Sequence, residues 1–324
     1  MRLDTMTVRH FRWDDLRGAL EALNAAYIAD GEERLLTEDE FRREMTEPDF
    51  DAERDSFVVS APDGRVAGFC DLVLLGPSGQ VHARGHIHPD FQRQGWGRQL
   101  VRATDAHALT IAAHLPQETP IIMQRYNLAS SAGFGALLRS EGYTLVRHFY
   151  RMVIQTLPEN APPLPDGLVF RPFDVQRDSR AVYEAVQEAF HDHWGHVVQP
   201  FDMWSYYTTD KKNFDPALWL VVYEAQQIAG VALCRPFGQE QPDLGWLSTL
   251  AVRRPWRRRG LASALLQHTF AMFRQRGYHR VGLGVDANNT SNAVALYERV
   301  GMRVYMQHVA YRKVLRGDPT AINH

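Results

Sequence analysis

A stretch that combines arginines with a glycine has the composition of a phosphate-binding loop. Five of the seven residues from Arg253 to Arg259 are arginines, and Gly260 follows them directly. A β-type apolar run, residues 247–252, precedes the loop, and apolar residues spaced three and four apart predict a helix over 261–273. A helix that begins after such a loop offers free backbone N–H groups and partial positive charge to an anion. The pattern therefore predicts a site for a pyrophosphate with a nearby sugar phosphate.

The same loop pattern occurs twice in the chain. The pattern Gln/Arg-x-x-Gly-x-Gly/Ala matches residues 92–97 and again residues 257–262. The glycines at its centre, Gly95 and Gly260, lie 165 residues apart. A period this long indicates duplication of a whole domain and not a solenoid of short repeats.

The strands and helices predicted around the two loops follow the same order. The matching segments are a strand at 7–11 and 168–173, a helix at 16–27 and 182–190, and a hairpin at 56–70 and 218–232. Between the two series, residues 157–167 hold four prolines and no apolar periodicity, which is typical of a linker. We therefore predict two domains, 1–156 and 168–324, joined by that linker.

Length, composition and charge limit the class of protein. The chain has 324 residues, of which 45% are hydrophobic, enough for two cores. Its net charge of −2 predicts no bulk attraction to nucleic acid or to an anionic membrane. No apolar run approaches the roughly 20 residues of a membrane span, and the N-terminus lacks the apolar core of a signal peptide. Cys70 and Cys234 each lie in an apolar run, which predicts buried thiols, and a cytoplasmic location fits these features.

A second motif occurs only in the second half of the chain. Residues 281–286 predict a strand and residues 291–300 a helix, for which Ser291 is the candidate N-cap. The helix contains the sequence Leu-Tyr-Glu, and Gly301 then ends it.

This combination of motifs resembles the GNAT superfamily of N-acyltransferases. The two loops resemble its coenzyme A pyrophosphate loop, and the second-half helix with the pair Gly301-Met302 resembles its downstream signature. The tandem arrangement resembles the two-domain type to which mycothiol synthase belongs. The resemblance covers nearly the whole chain apart from the linker and the tail after Leu315. It implies an α/β fold class: two tandem GNAT folds, each a mixed, mostly antiparallel sheet flanked by helices.

The resemblance also implies that acetyl-CoA is the co-substrate and that no metal takes part. The residues expected to contact it in the second copy are Leu250, Val252, Arg257, Arg258, Arg259, Gly260, Leu261, Ala262, Ser263 and Asn292. The residues expected to contact it in the first copy are His88, Arg93, Gln94, Gly95, Gly97 and Arg98. By the same resemblance Tyr297 lies near the sulfur and protonates the leaving thiolate as a general acid. The alternative for Tyr297 is a core aromatic residue with a satisfied hydroxyl.

The first copy departs from the downstream motif. Alignment of the two copies places Leu138 where the second copy has Tyr297. It also places Gly133 where the second copy has Asn292. Because a leucine cannot donate a proton, we predict a degenerate first domain that keeps its loop, with the chemistry in the second domain.

The implied reaction is direct attack of an amine on a thioester. The strand before the second loop would supply a backbone N–H, from Leu250 or Val252, that polarises the thioester carbonyl. Where many family members carry a glutamate in that strand, this sequence has Trp246. We predict that Asp243, near Glu240, is the general base, with a solvated surface turn as the competing interpretation.

The resemblance implies that the acceptor-binding region lies between the first and second strands of the second copy. Residues 191–196 are rich in histidine but lack the spacing of a metal site. The predicted acceptor contacts, for which ordinary packing is the alternative, are His193, Trp194, Trp204 and Tyr207. The predicted acceptor is a small-molecule amine or a peptide amine, and the acetyl group is favoured by family frequency.

Three other functions compete with this interpretation. A non-catalytic module that binds coenzyme A would be free to lose Tyr297, which is present. A tandem GNAT aminoacyl transferase would not need two intact phosphate loops, and an interaction scaffold would leave both loops unexplained. The sequence is compatible with a monomer or a homodimer.

Overall fold

The chain forms two compact units, each of which is described here by itself. The computed structural model describes residues 6–32, 35–47, 50–194, 196–209, 214–238, 241–289, 292–318 and 320. Unit 1 lies within residues 1–148 and 308–324, and unit 2 lies within residues 149–307.

The described part of the first half of the chain contains six strands and five α-helices. The strands are β1 (Thr7–His10), β2 (Ser56–Ser60), β3 (Val66–Leu74), β4 (Gln80–Ile87), β5 (Ile121–Leu128) and β6 (Thr144–Ile154). The helices are α1 (Leu16–Asp30), α2 (Glu38–Glu44), α3 (Ala52–Asp55), α4 (Trp96–Ile111) and α5 (Ala132–Ser140).

The described part of the second half repeats this series with six strands and four helices. The strands are β7 (Leu168–Arg171), β8 (Trp219–Glu224), β9 (Gln227–Gly238), β10 (Gln241–Val252), β11 (Arg280–Asp286) and β12 (Arg303–Arg316). The helices are α6 (Val175–Phe190), α7 (Phe201–Thr208), α8 (Leu261–Gln275) and α9 (Ala293–Arg299).

The sheet of each unit is built in the same way. In unit 1 the strands pair in the order β1-β2-β3-β4-β5, and residues 308–316 of β12 pair with β5. In unit 2 the order is β7-β8-β9-β10-β11, and residues 149–154 of β6 pair with β11. Within each unit only one of these pairs is parallel, β4 with β5 and β10 with β11. The predicted fold class, a mixed and mostly antiparallel sheet in each copy, is confirmed.

Helices cover both faces of the sheet in unit 2. The apolar face of α6, with Val182 and Val186, packs against one face in a cluster that includes Val231. The apolar face of α8, with Leu265 and Phe270, packs in a second cluster on β10 and β11. In unit 1, α1 and α4 likewise contribute to two separate clusters.

The linker and the unit boundaries add detail to the predicted domain organisation. Residues 157–167 contain no helix or strand, yet they pack on α8: His268 Nε2 lies 2.8 Å from the Pro162 carbonyl oxygen. The boundaries of the compact units do not coincide with this linker. The sheet of unit 1 includes residues 308–316, which follow the linker, and the sheet of unit 2 includes residues 149–154, which precede it. The boundaries 1–156 and 168–324 stay a prediction for the repeated sequence unit.

Candidate active site

In unit 2, strands β10 and β11 stop pairing before either strand ends. Their parallel pairing ends where Leu247 lies opposite Leu283. Strand β10 nevertheless continues to Val252 and β11 to Asp286. The unpaired ends leave a gap in the sheet. In unit 1 the pairing of β4 with β5 ends in the same way, at Ala83.

The edge of β10 that borders the gap carries backbone donors. Just after β10, the Arg253 N–H donates at 3.1 Å to the carbonyl oxygen of Ala229, which lies in β9. Donors alternate in direction along an antiparallel strand, so the Ala251 N–H points to β9 as well. The N–H groups of Leu250 and Val252 therefore point toward the gap.

The loop after β10 has the same backbone conformation as the loop after β4. Arg258 and Arg93 adopt positive φ angles of 61° and 62°. Gly260 and Gly95, which directly precede helices α8 and α4, have φ angles of 82° and 89°. Residues with a Cβ rarely adopt this left-handed region, which explains the glycine at the centre of the motif. The sequence repeat is thus a structural repeat at the level of single dihedral angles.

The first turn of α8 offers backbone donors to a ligand. The first bond within the helix runs from the Ala264 N–H to the Gly260 carbonyl oxygen at 3.1 Å. The N–H groups of residues 261–263 therefore have no acceptor inside the helix. A Cβ atom built on Gly260 would meet no atom within 4 Å, and residues 260–263 line an open cavity. Donors, helix dipole and open space together fit a diphosphate.

Four of the five arginines before Gly260 hold the loop in place. Arg253 pairs with Glu188, Arg254 with Asp192, and Arg259 with Glu224, while Arg257 donates to the Val252 and Ala189 carbonyl oxygens. Arg258 is exposed, and within the described ranges it has no hydrogen-bond or ion-pair partner. Of these five arginines, Arg258 is therefore the one whose guanidinium group is not engaged by another described residue.

A cavity of about 1000 Å³ joins the gap, the loop and helix α9. The predicted residues that line it are Leu250, Val252, Arg257, Arg258, Gly260, Leu261, Ala262, Ser263, Asn292 and Tyr297. Two predicted residues, Arg259 and Asp243, do not line it. Ser248 and Asn289 also line the cavity, and sequence reasoning missed both.

The cavity is lined from both faces of the sheet. The side chain of Ala251 packs in the α6 cluster, whereas Leu250 and Val252 border the α8 cluster. Phe190 and His193, which lie at the end of α6 and just after it, line the same cavity as the α8 loop. The gap therefore connects the phosphate-binding face with the face that α6 covers.

Tyr297 is held in the cavity wall by helix α9. Its side chain is only 8% exposed, and burial raises the pKa of the phenol to about 12. Its hydroxyl has no hydrogen-bond partner within the part of the chain that the structure describes. Among the described residues, the alternative of a core tyrosine with a satisfied hydroxyl therefore has no partner for that hydroxyl. A protonated phenol that faces a cavity can donate a proton to a bound group.

The start of α9 differs in detail from the expected one. Asn292 has a left-handed conformation, with a φ of 55°, so the helix begins at Ala293. The Asn289 side chain caps it, because its Oδ1 accepts a hydrogen bond from the Ala293 N–H at 3.1 Å. The candidate cap, Ser291, lies outside the described residues.

The predicted general base, Asp243, is in the wrong place. It lies near the start of β10 and receives two hydrogen bonds from Arg280, at 2.8 and 2.9 Å. The side-chain hydrogen bonds from Arg280 lower the pKa of the carboxyl, which makes it a weaker base. This corrects the expectation for Asp243. Glu240, the neighbouring candidate, lies outside the described residues.

We expect the change Asp243→Asn to leave turnover within twofold of wild type. The Asp243 side chain is 38% exposed, so the lost ion pair changes the free energy of unfolding by about 0–1 kcal/mol. Because the folded-state pKa is lowered, this stabilisation is present above the unfolded pKa and disappears as the pH falls through the folded value. Steady-state kinetics and thermal unfolding at pH 7 and pH 4 check this. A large loss of turnover with an unchanged melting temperature would contradict it.

The cavity of unit 1 keeps the loop but lacks the tyrosine. Its volume is about 780 Å³, and the predicted residues that line it are Arg93, Gly95, Gly97 and Arg98. Arg93 reaches the N-terminus of α5, where its Nη2 would lie 3.0 Å from a Cβ on Gly133. Leu138, the counterpart of Tyr297, is fully buried.

Two predicted contacts of unit 1 do not line its cavity. The His88 ring instead accepts a hydrogen bond from the Asp90 N–H at 3.2 Å, and Gln94 is absent from the cavity wall. Gln92, the first residue of the motif, does line the cavity, and its Nε2 donates to the Ile87 carbonyl oxygen at 3.1 Å.

The predicted acceptor contacts have different outcomes. Of the four, only His193 lines the cavity. Trp204 is a core residue, packed against Trp219 and Tyr183. Trp194 contacts Phe149, and Tyr207 is 42% exposed. For Trp204 the alternative of ordinary packing is therefore correct.

The structure was also searched for metal sites and membrane spans. Across the described ranges, no three His, Cys, Asp or Glu side chains lie together in a way that could hold a metal ion. Among the same residues, no helix has the length and apolar character that a membrane span requires.

Comparisons with known proteins agree with this geometry. The sequence profile of the Acetyltransferase (GNAT) family matches residues 19–115 and 180–302. A mycothiol acetyltransferase from Salinispora arenicola is 30% identical over 264 residues, which cover 79% of this chain and 80% of that protein. A crystal structure of a GCN5-related N-acetyltransferase from Sphaerobacter thermophilus has a TM-score of 0.80 and 33% identity over 97% of both chains. A tandem GNAT protein from the clavulanic acid biosynthesis pathway shares the fold, with a TM-score of 0.69 and 14% identity over 97% of this chain and 100% of that one.

Proposed function

The chain belongs to the GNAT family of acetyltransferases and is an acetyl-CoA-dependent N-acetyltransferase, and from this premise we propose that unit 2 transfers the acetyl group to a primary amine in a ternary complex. The observation that carries this proposal is the gap between β10 and β11. One cavity at this gap joins the N–H groups of residues 261–263, which form a diphosphate cradle, the N–H groups of Leu250 and Val252, and Tyr297.

Each group has a separate task in the proposed reaction. The N–H groups of residues 261–263 and Arg258 hold the diphosphate. The Leu250 or Val252 N–H binds the thioester oxygen, on which negative charge develops during attack. Tyr297 donates a proton to the sulfur as the carbon–sulfur bond breaks. Acetyl-CoA supplies the activated acetyl group, so these residues bind, orient and move protons.

The cysteines favour direct attack over an acetyl-enzyme. In unit 2, Cys234 is fully buried, does not line the cavity, and has a thiol pKa that burial raises to about 12. A thiol of this kind is a poor nucleophile, because the thiolate is the reactive form. The amine is therefore the nucleophile of the proposed reaction.

The acceptor is proposed as a small-molecule amine or a peptide amine, with the chain acting as a monomer or a homodimer. Because relatives of similar length are named mycothiol acetyltransferase, the amine form of mycothiol that lacks the acetyl group is the first acceptor to test. Unit 1 is proposed to have no turnover of its own, since Leu138 replaces the acid.

The proposal is tested by release of free thiol from acetyl-CoA with four acceptors: deacetylated mycothiol, glucosamine, spermidine and a peptide with a free N-terminus. Intersecting double-reciprocal plots are expected for the best acceptor, because both substrates are bound before transfer. Parallel plots together with a stable acetylated chain in mass spectrometry would contradict the ternary complex. No thiol release with any amine would contradict transfer to these acceptor classes.

A further inference from the structure

The proposed reaction needs a base on the acceptor side of the gap. An alkyl amine is largely protonated near pH 7, since the ordinary pKa of such a group is about 10. It must lose a proton before it attacks. Asp243, the residue expected from the sequence, lies outside the cavity and is paired with Arg280.

Three side chains that could accept a proton from an amine line the cavity. They are Asp192, His193 and Asp286. Asp192 is engaged by Arg254 and lies 3.2 Å from His191, and these hydrogen bonds lower the pKa of its carboxyl. Asp286 accepts a hydrogen bond from the Asn288 N–H at 2.9 Å. Both carboxylates therefore already accept hydrogen bonds from other groups of the chain.

His193 is held at the rim of the cavity by Phe190. The two ring centroids are 4.4 Å apart, and the His193 N–H donates to the Phe190 carbonyl oxygen at 2.8 Å. The imidazole lines the cavity on one side and is exposed to solvent on the other. A group in this position can take a proton from a ligand in the cavity and release it to water.

We propose that His193 is the general base that removes a proton from the acceptor amine, an inference that rests on the acetyl transfer proposed above. The imidazole acts on the amine directly or through one water molecule. Asp192 also lines the cavity and is exposed, but its carboxylate is paired with Arg254.

Partial burial and the charges around His193 together favour the neutral form of its imidazole, which can accept a proton. Partial burial lowers its pKa, as do Arg257 of the loop and His196 of its own segment. Asp286 at the end of β11 and Asp192 act in the opposite direction. The net pKa lies below the ordinary value of 6.5, so the ring is mainly unprotonated at pH 7. Asp286 and Asp192 then favour the cation that forms when the ring takes up a proton.

The protons balance in the full reaction. His193 takes one proton from the ammonium and later gives it to solvent. The amine forms a carbon–nitrogen bond with the acetyl carbon, and the carbon–sulfur bond breaks with its electron pair on sulfur. Tyr297 protonates the sulfur and regains a proton as the nitrogen loses its second one. The products are the amide, the free thiol and one released proton.

The test compares His193→Gln with the matched control His191→Gln. His191 lies two residues away on the same segment, is exposed, and does not line the cavity. The readout is kcat/KM for the best acceptor of the four-amine panel between pH 6 and 9, with the Kd for acetyl-CoA measured in parallel. We expect wild type and His191→Gln to show a plateau that begins below pH 6.5. His193→Gln is expected to fall about a hundredfold at pH 7, with an unchanged Kd for acetyl-CoA.

The shape of the pH profile separates a base from a structural residue. Without a base only the free amine reacts, so the rate of His193→Gln rises about tenfold per pH unit toward the pKa of the amine. The difference in kcat/KM between His193→Gln and wild type therefore becomes smaller at high pH. A plateau retained in His193→Gln, or the same loss in His191→Gln, would overturn the role of His193 while leaving acetyl transfer intact. A wild type inactive with every amine would overturn both proposals.

Discussion

The change Gly260→Glu is expected to abolish acetyl-CoA binding at unit 2 and to lower turnover by about a hundredfold or more. A carboxylate at this position would stand in front of the N–H groups of residues 261–263, where the diphosphate has to bind. Like charges placed in contact cost several kcal/mol, and each 1.4 kcal/mol is about a tenfold change in affinity. The space in front of Gly260 is open, so the new side chain has room to occupy the cradle.

Two control variants separate the effect of the new carboxylate from the effect of backbone strain and from the same change in unit 1. Gly260→Ala carries the strain of a left-handed residue, about 1–2 kcal/mol, without the carboxylate. Gly95→Glu places the same change in unit 1, where the glycine has nearly the same φ. Isothermal titration with acetyl-CoA and steady-state kinetics are measured for all three. We expect Gly95→Glu to keep turnover, because unit 1 has Leu138 in place of the acid. Equal loss in Gly95→Glu and Gly260→Glu would contradict the assignment of turnover to unit 2.

The backbone of the site could be predicted from the sequence because it depends on local rules. A glycine between a strand and a helix, with apolar residues at helical spacing after it, specifies a loop and an exposed helix start. Gly95 and Gly260 indeed share one conformation. The duplication could be seen for the same reason, since both copies repeat the local pattern.

The partners of charged side chains could not be predicted in this way. Five arginines beside Gly260 suggested a strongly positive phosphate site, yet Arg253 and Arg259 pair with Glu188 and Glu224, which lie on α6 and β8. Such pairs join residues far apart in sequence, and no local pattern encodes them. Asp243 failed as a base for the same reason, because Arg280 reaches it from the neighbouring strand.

The asparagine that caps helix α9 was a weaker signal in the sequence that could have been used. Asn289 precedes the helix and its side chain bonds the Ala293 N–H, which is typical of asparagine at a helix start. The sequence analysis named Ser291 as the candidate cap and missed Asn289. His193 was predicted as an acceptor contact, but its proposed role as a base depends on the fold, which places the end of α6 beside the gap.

The change Tyr297→Phe is expected to lower kcat by about a hundredfold while the KM for acetyl-CoA stays within twofold. General acids contribute about 10²–10⁴ to a rate, and the lower end applies because a thiolate, with an ordinary pKa of about 8.5, is a fair leaving group. The phenol pKa of about 12 does not prevent the transfer. A thiolate that forms in the same buried surroundings is destabilised by the same loss of water, which raises its affinity for the proton.

The pH dependence and the stability of this variant distinguish an acid from a packing residue. Because the pKa of Tyr297 is raised to about 12, the phenol keeps its proton from pH 7 to 9, so the loss in kcat is the same across that range. Its hydroxyl has no partner in the described part of the chain, so its removal breaks no hydrogen bond there and the melting temperature is expected to stay within about 2 °C. Tyr278→Phe is the matched control, since that ring packs on Phe273 and does not line the cavity. An unchanged kcat in Tyr297→Phe, or a loss that tracks a lower melting temperature, would assign the tyrosine to packing and leave the thiolate to be protonated by water.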